Sequence, residues 1–258
     1  LLVVLGRGAE AGLIEHFASL PGEHNGLVSG TTEIRVGEAA QLRHYRLHLE
    51  EEHAIHIGGV YVELGRAALC ESLVLELGGR LKRLDLRLRH LGAGTECRLD
   101  GVYLSRHSQH IDLHTTVEHE VAQGTTHQVY RGIVDDAARA VFNGRIHIHP
   151  QAQKSNADLS NRNLLLSNTA EVNTKPELEI YADDVRCSHG ATVSRIDEKS
   201  LYYLLTRGIG RREAEVLLGF GFINELVRDI PIEPLGVALR AVLTGWFGRA
   251  DVLQGESS

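Results

Sequence analysis

Leu73–Asp100 reads LVLELGGRLKRLDLRLRHLGAGTECRLD, and its spacing decides the fold. Leu84, Leu86 and Leu88 alternate with Asp85 and Arg87, and Leu73, Leu75 and Leu77 alternate with Val74 and Glu76. A period of two places apolar side chains on one face of a strand and charges on the other. Gly79 is followed five residues later by Leu84, and Gly94 by Leu99.

The same Gly-x-x-x-x-apolar step recurs outward at Gly8/Leu13, Gly22/Leu27, Gly37/Leu42, Gly65/Cys70 and Gly124/Val129. The glycines lie 14, 15, 28, 14, 15 and 30 residues apart, the long intervals being doubled steps. A fixed period marks a stacked architecture in which each unit buries its apolar face on its neighbours. Glycine suits the corners because it accepts positive φ. These patterns predict a parallel β-helix, with a step of about 14.5 residues that is either half a coil or a whole one. The opening LLVVLGRGAEAG has glycines at 6, 8 and 12, but this spacing is one residue longer than the dinucleotide fingerprint, so a repeat corner is the better account.

Fifteen histidines crowd the repeat. His107, His110, His114 and His119 share no helix or strand face, and no HExxH or paired CxxC is present, so they are expected to face solvent, as is His56 between Ile55 and Ile57. Cys70 and Cys97 fill apolar slots. His147 and His149 share a face but lack a third ligand. Asn156, Asn161, Asn163, Asn168 and Asn173 are expected at coil turns, bonded to backbone.

The last extended segment, Glu177–Ile196 (ELEIYADDVRCSHGATVSRI), carries the candidate site. Asp183 and Asp184 are adjacent and fit a turn or solvated edge. Cys187 and His189 are two apart, so a strand projects both to one face, where a thiol and an imidazole suit a soft metal or iron, or a nucleophile with its base. A packed cysteine beside an exposed histidine is the alternative.

After Ile196 the period changes. Asp197 is expected to cap a helix to Arg207, ended by Gly208; a second helix spans 211–229; Pro234 opens a third through Trp246. This divides the chain into a β-helix core, 1–196, and a helical domain, 197–258, with helices expected on the open end of the β-helix and a disordered QGESS tail. A net charge of -7 argues against binding through nucleic-acid phosphates. No run is long enough for a membrane helix, and three scattered cysteines fit a reducing cytosol, so the protein is expected to be cytoplasmic. There is no methionine, which leads us to expect a fragment of a longer chain.

The segments RAVFNGRIHIHPQAQKSNADLSNRNLLLS, AEVNTKPELEIYADDVRCSHGATV and LYYLLTRGI resemble the SufD family of the SUF iron–sulfur cluster assembly system. The resemblance runs from about Leu1 to Ile230. It implies a right-handed parallel β-helix followed by a C-terminal helical domain, and a non-catalytic scaffold subunit. It also implies pairing with SufB through the β-helix, self-association, and docking of the SufC ATPase on the C-terminal helices. By the same resemblance, the histidine of the CSHG motif, here His189, lies at the SufB interface as part of a nascent-cluster site, with Cys187 a weaker neighbour. No cofactor is expected to be bound intrinsically; an iron–sulfur cluster is held transiently at the interface. ATP is used by SufC, in keeping with the lack of a Walker A motif. The family's N-terminal helical domain has no counterpart in this sequence. A β-helix enzyme acting on polysaccharide and a purely structural dimer are the competing readings.

Overall fold

The structure, a computed structural model, describes residues 1–19, 25–228 and 230–248. Gly22, Asp229 and the QGESS tail lie outside the described residues. The strands are β1 (Leu2–Leu5), β2 (Glu10–Ala18), β3 (Leu27–Val36), β4 (Gln41–Leu49), β5 (Ile55–Leu64), β6 (Leu69–Leu77) and β7 (Leu81–His90). They continue with β8 (Glu96–Ser105), β9 (His110–His119), β10 (Thr125–Val134), β11 (Arg139–Ile148), β12 (Asn156–Leu165), β13 (Glu171–Ile180) and β14 (Arg186–Arg195). Helices α1 (Glu198–Thr206), α2 (Arg211–Val227) and α3 (Glu233–Trp246) follow.

Odd strands form one seven-stranded sheet and even strands another, each in sequence order. Every pairing is parallel, between strands two apart in the chain: Leu84 pairs with Leu113, and Leu99 with Gln128. The expected parallel β-helix followed by helices is therefore present, and the glycine step is half a coil, one strand and one corner.

The corners use glycine differently from the expectation. Positive φ occurs at Gly8 and Gly94, but the equivalent turns are made by Ala39, Ala67, Gln123 and Lys154. Gly37 and Gly65 are needed for closeness instead. A Cβ on Gly37 would lie 2.6 Å from the Leu5 carbonyl oxygen of the preceding coil. The backbone ladder along the corner, such as Ala39 N–H to Arg66 O at 2.8 Å, holds the coils at that spacing.

Between the sheets runs a core that includes Val60, Val62, Leu84, Leu86, Leu88, Leu113, Val117, Phe142 and Ile146. Cys70 and Cys97 are buried in it and face each other across the β6–β8 ladder. β7 follows the expected alternation, with Leu84, Leu86 and Leu88 inward. β6 does not: Val74 and Glu76 point inward, while Leu73 and Leu75 lie on the outer face beneath the helices. A strand covered on both faces has no polar side, so alternation alone cannot say which side is inside.

The helices accordingly lie on the outer face of the even sheet, not across the open end. Tyr45, Leu47, Leu75, Val102, Leu104 and Ile133 form one cluster with Ile223, Leu226, Leu239 and Leu243, and Trp246 and Phe247 pack against it. Asp197 caps α1, accepting from Ser200 N–H at 2.9 Å, and Gly208 ends it at φ +83. Arg131 on β10 donates to the Phe222 carbonyl and pairs with Glu225, tying α2 to the sheet.

The first coils carry charge inside. His56 and His119 are fully buried, and Ile57 is exposed, the reverse of the solvent-facing expectation. The inner row of β5 runs through even-numbered residues, His56 to Leu64, so the isoleucines fall outside. His119 stacks on His90 with centroids 4.1 Å apart, and burial drives both rings toward the neutral form. Asn161 and Asn163 are likewise interior rather than at turns; Asn163 donates to Asn161 at 2.6 Å and Asn161 to the Tyr103 hydroxyl at 2.9 Å.

Glu15 anchors this polar interior. Its carboxylate accepts from Arg46 and His44, both at 2.8 Å, and from Thr32 at 2.5 Å. Burial pushes its carboxyl up, but the His44 and Thr32 hydrogen bonds and the Arg46 charge outweigh that and hold it at about 2, against an ordinary 4.5. A depressed carboxyl contributes stability that is complete above pH 4.5 and lost as pH falls through 2. Glu15→Gln is therefore expected to be less stable at neutral pH, and to lose stability less steeply between those limits, by up to about one proton taken up on unfolding. Urea unfolding across that pH range checks this; an unchanged slope refutes it.

Candidate functional site

β14 is the last strand of the even sheet and, among the described residues, pairs only with β12. Its inner row continues that of β12: Cys187 stands opposite Ala157, and His189 opposite Leu159, both of which are buried. No later coil covers this row among the described residues. Cys187 is half-buried against the core, while His189 is exposed. The alternation thus does bring the thiol and imidazole to one face, and that face is the open end of the β-helix.

The two side chains differ chemically. Burial pushes the Cys187 thiol up, with a backbone hydrogen bond at Ala157 acting the other way. A raised thiol is protonated near neutral pH and is a poor ligand or nucleophile until a metal or base takes its proton. The His189 ring makes no hydrogen bond or ion pair among the described residues, so its nitrogens are available. Cys187 and His189 do not gather a third His, Cys, Asp or Glu ligand among the described residues. The donor set on this chain is thus incomplete for a metal or cluster.

Asp183 and Asp184 sit in the exposed bend between β13 and β14, with the Asp184 N–H held by Gln153 at 2.9 Å. His107 is exposed and pairs with Asp136, and His114 pairs with Asp112. His147 and His149 do stack on one face, 4.3 Å apart, with carboxylates at 3.8 Å (Glu179) and 3.7 Å (Glu118). Glu179, however, is engaged by both ends of the Arg145 guanidinium.

Residues that the sequence did not single out complete the open end. Ile180, Tyr181 and Val193 are 42%, 60% and 45% exposed. Among the described residues, β13 and β14 both leave one edge of backbone N–H and C=O groups without a strand, and such an edge readily pairs with another chain. The only signal in the sequence was that the strand pattern stops at Ile196 with no cap residue for the coil.

Residues 1–222 match the family model described as SUF system FeS cluster assembly, SufBD core domain. The chain belongs to the SufBD core family. It is 36% identical over 231 residues to the iron-sulfur cluster assembly protein SufD of Escherichia coli, covering 90% of this chain and 54% of that one. An iron-sulfur cluster assembly SufBD family protein of Synechocystis is 33% identical over 247 residues, covering 93% of this chain and 54% of that one. Protein ABCI7, chloroplastic, of Arabidopsis thaliana is 32% identical over 232 residues, covering 90% of this chain and 49% of that one. The chain spans about half the length of these curated relatives. The SufBD core match takes in all fourteen strands and most of α2, so the candidate site lies inside it. No described helix is long and apolar enough to cross a membrane.

Proposed function

We propose that this SufBD-family chain is a non-catalytic scaffold subunit for iron–sulfur cluster assembly. It pairs through the open end of its β-helix with a SufB-like subunit and presents His189 to the nascent cluster at that seam. The observation that carries this reading is an unpartnered imidazole on the uncovered inner row of a coil whose two strand edges are also unpaired. A half-complete ligand set on an unpaired edge calls for the remaining ligands, thiolates above all, to come from the opposing chain. A second copy of this chain can occupy the same edge. The cluster is cargo, built at the seam and passed on, rather than a resident group.

The chain's own part is positional. Parallel pairing of β14 to β12 holds His189 in register, and the half-buried Cys187 beside it supplies a second donor only once deprotonated. The C-terminal helices are the proposed dock for a SufC-like ATPase. Tyr202 and Tyr203 on α1 and Val237 on α3 are 69%, 56% and 54% exposed, apolar surface that the sheet does not use. ATP hydrolysis belongs to that partner, and a cytoplasmic setting suits the reduced cysteines. Two of the outer-face acids, Asp112 and Glu179, are committed to Arg83 and Arg145, which counts against either serving as the free acid of a polysaccharide hydrolase.

The test is co-purification with SufB-like and SufC-like partners, then anaerobic reconstitution followed by visible absorption. A complex that forms and gains cluster absorption supports the proposal; failure of the partners to bind overturns it. Val193→Lys places a charge in the uncovered row without touching the core, and is expected to weaken pairing with the SufB-like subunit by about tenfold or more in a binding titration. Unchanged affinity would move the seam elsewhere.

A further inference from the structure

The interior of the early coils holds a group of side chains that the cluster-assembly reading does not use. His48, Glu50 and His56 meet at the corner between β4 and β5. All three are buried, and each offers a donor atom within 4.8 Å of those of the other two. We propose that His48, Glu50 and His56 form a binding site for one divalent first-row transition-metal ion inside the β-helix, separate from the Cys187–His189 end. In the even sheet β4 lies five strands from β14, about 24 Å at the usual strand spacing.

The polar atoms at this corner argue for an occupant. His48 Nδ1, His56 Nε2 and both carboxylate oxygens of Glu76 are buried without a hydrogen-bond partner. Glu76 Oε2 lies 3.4 Å from His48 Nδ1, so two of these orphaned atoms face each other. Buried polar atoms in native structures are nearly always paired, and a buried carboxylate with both oxygens unpaired, as in Glu76, is a place where an unseen ion or water belongs. His56 is already set as a ligand. Its Nδ1 meets Glu50 Oε1 at 2.5 Å, and a metal ion taken up between them replaces the proton of that hydrogen bond, so that ring and carboxylate ligate together. Two imidazoles with carboxylate oxygens suit zinc or ferrous iron rather than magnesium or calcium, which prefer oxygen alone.

Two cations share the corner and set the cost. Lys82 Nζ donates to Glu50 Oε2 at 2.7 Å and to the His48 carbonyl at 3.0 Å. Arg46 Nε donates to His48 Nε2 at 2.8 Å. Ligation through His48 Nδ1 puts the ring proton on Nε2, so the metal and that Arg46 bond exclude each other. Arg46 keeps its pairing with Glu15 at 2.8 Å when the bond to His48 is given up. Glu50 also borders a cavity of about 240 Å³ at the coil corner, together with Glu51, Glu52, Gly78 and Trp246, whereas His48 and His56 do not line it.

The experiment uses the full chain, stripped with a chelator and titrated with zinc(II) by calorimetry, with bound metal counted by elemental analysis. It is repeated in a Cys187→Ser/His189→Ala background, which removes the open-end donors. The expected result is about one zinc per chain in both proteins, a melting temperature that rises with zinc, and affinity weakened by about tenfold or more in His56→Gln and in Glu50→Gln. Cobalt(II) in the double-variant background should give the visible bands of a nitrogen and oxygen site with no thiolate charge-transfer band. That spectrum decides the matter even where a corner substitution fails to fold. Absence of zinc binding by the parent chain overturns the proposal, and so does loss of binding in the double variant. Undiminished affinity in folded His56→Gln and Glu50→Gln does the same and assigns the orphaned atoms to water.

Discussion

Replacing His189 with alanine is expected to leave the β-helix folded and still paired with its partner, while cluster formation by the assembled complex falls by about tenfold or more. Folding survives because the ring is exposed and makes no hydrogen bond, and because β14 is held by its backbone register with β12. Cluster formation fails because His189 is the one candidate donor of this chain that needs no burial cost undone. Cys187→Ser is expected to cause a smaller loss, since burial keeps that thiol protonated until a ligand displaces the proton. Circular dichroism and co-elution check the fold and the pairing, and anaerobic reconstitution checks the cluster. A His189→Ala complex that matures clusters at the normal rate removes this residue from the site.

The second large effect concerns the core. Phe142→Ala is expected to destabilise the chain by about 3–5 kcal/mol in urea unfolding, and Val141→Ala, one residue away, by less than about 1 kcal/mol. Phe142 is fully buried between the sheets, with its ring 4.8 Å from that of Tyr130. The space is shaped for it: a Cβ on Gly144 would lie 2.8 Å from the Phe142 ring and 2.4 Å from Leu159 Cδ1. Removing the ring leaves a cavity that these rigid, hydrogen-bonded strands cannot close. Val141 sits on the partly exposed outer face of β11 and loses only its own small contact area. Equal costs at the two positions would mean that the strand's inner and outer faces are assigned the wrong way round.

Period-two strands, a fixed half-coil step and the change to helical spacing after Ile196 are local properties, and the sequence by itself determined them. So did the placing of Cys187 and His189 on one face, because side-chain direction in a strand follows from parity alone. Parity does not say which face is inside. In β6 the leucines lie outside under α2 and α3 and Glu76 lies inside, and in β5 the isoleucines are outside and His56 inside. Only the tertiary structure decided this: over β6 an outer face covered by helices rewards apolar residues as much as the interior does, and in β5 His56 is accepted inside because Glu50 hydrogen-bonds its ring. A buried charge such as Glu15 or Lys82, in turn, is tolerated where partners 17 to 34 residues away in sequence converge on it. The openness of the last coil is also tertiary: His189 is accessible because no further coil among the described residues stacks on it.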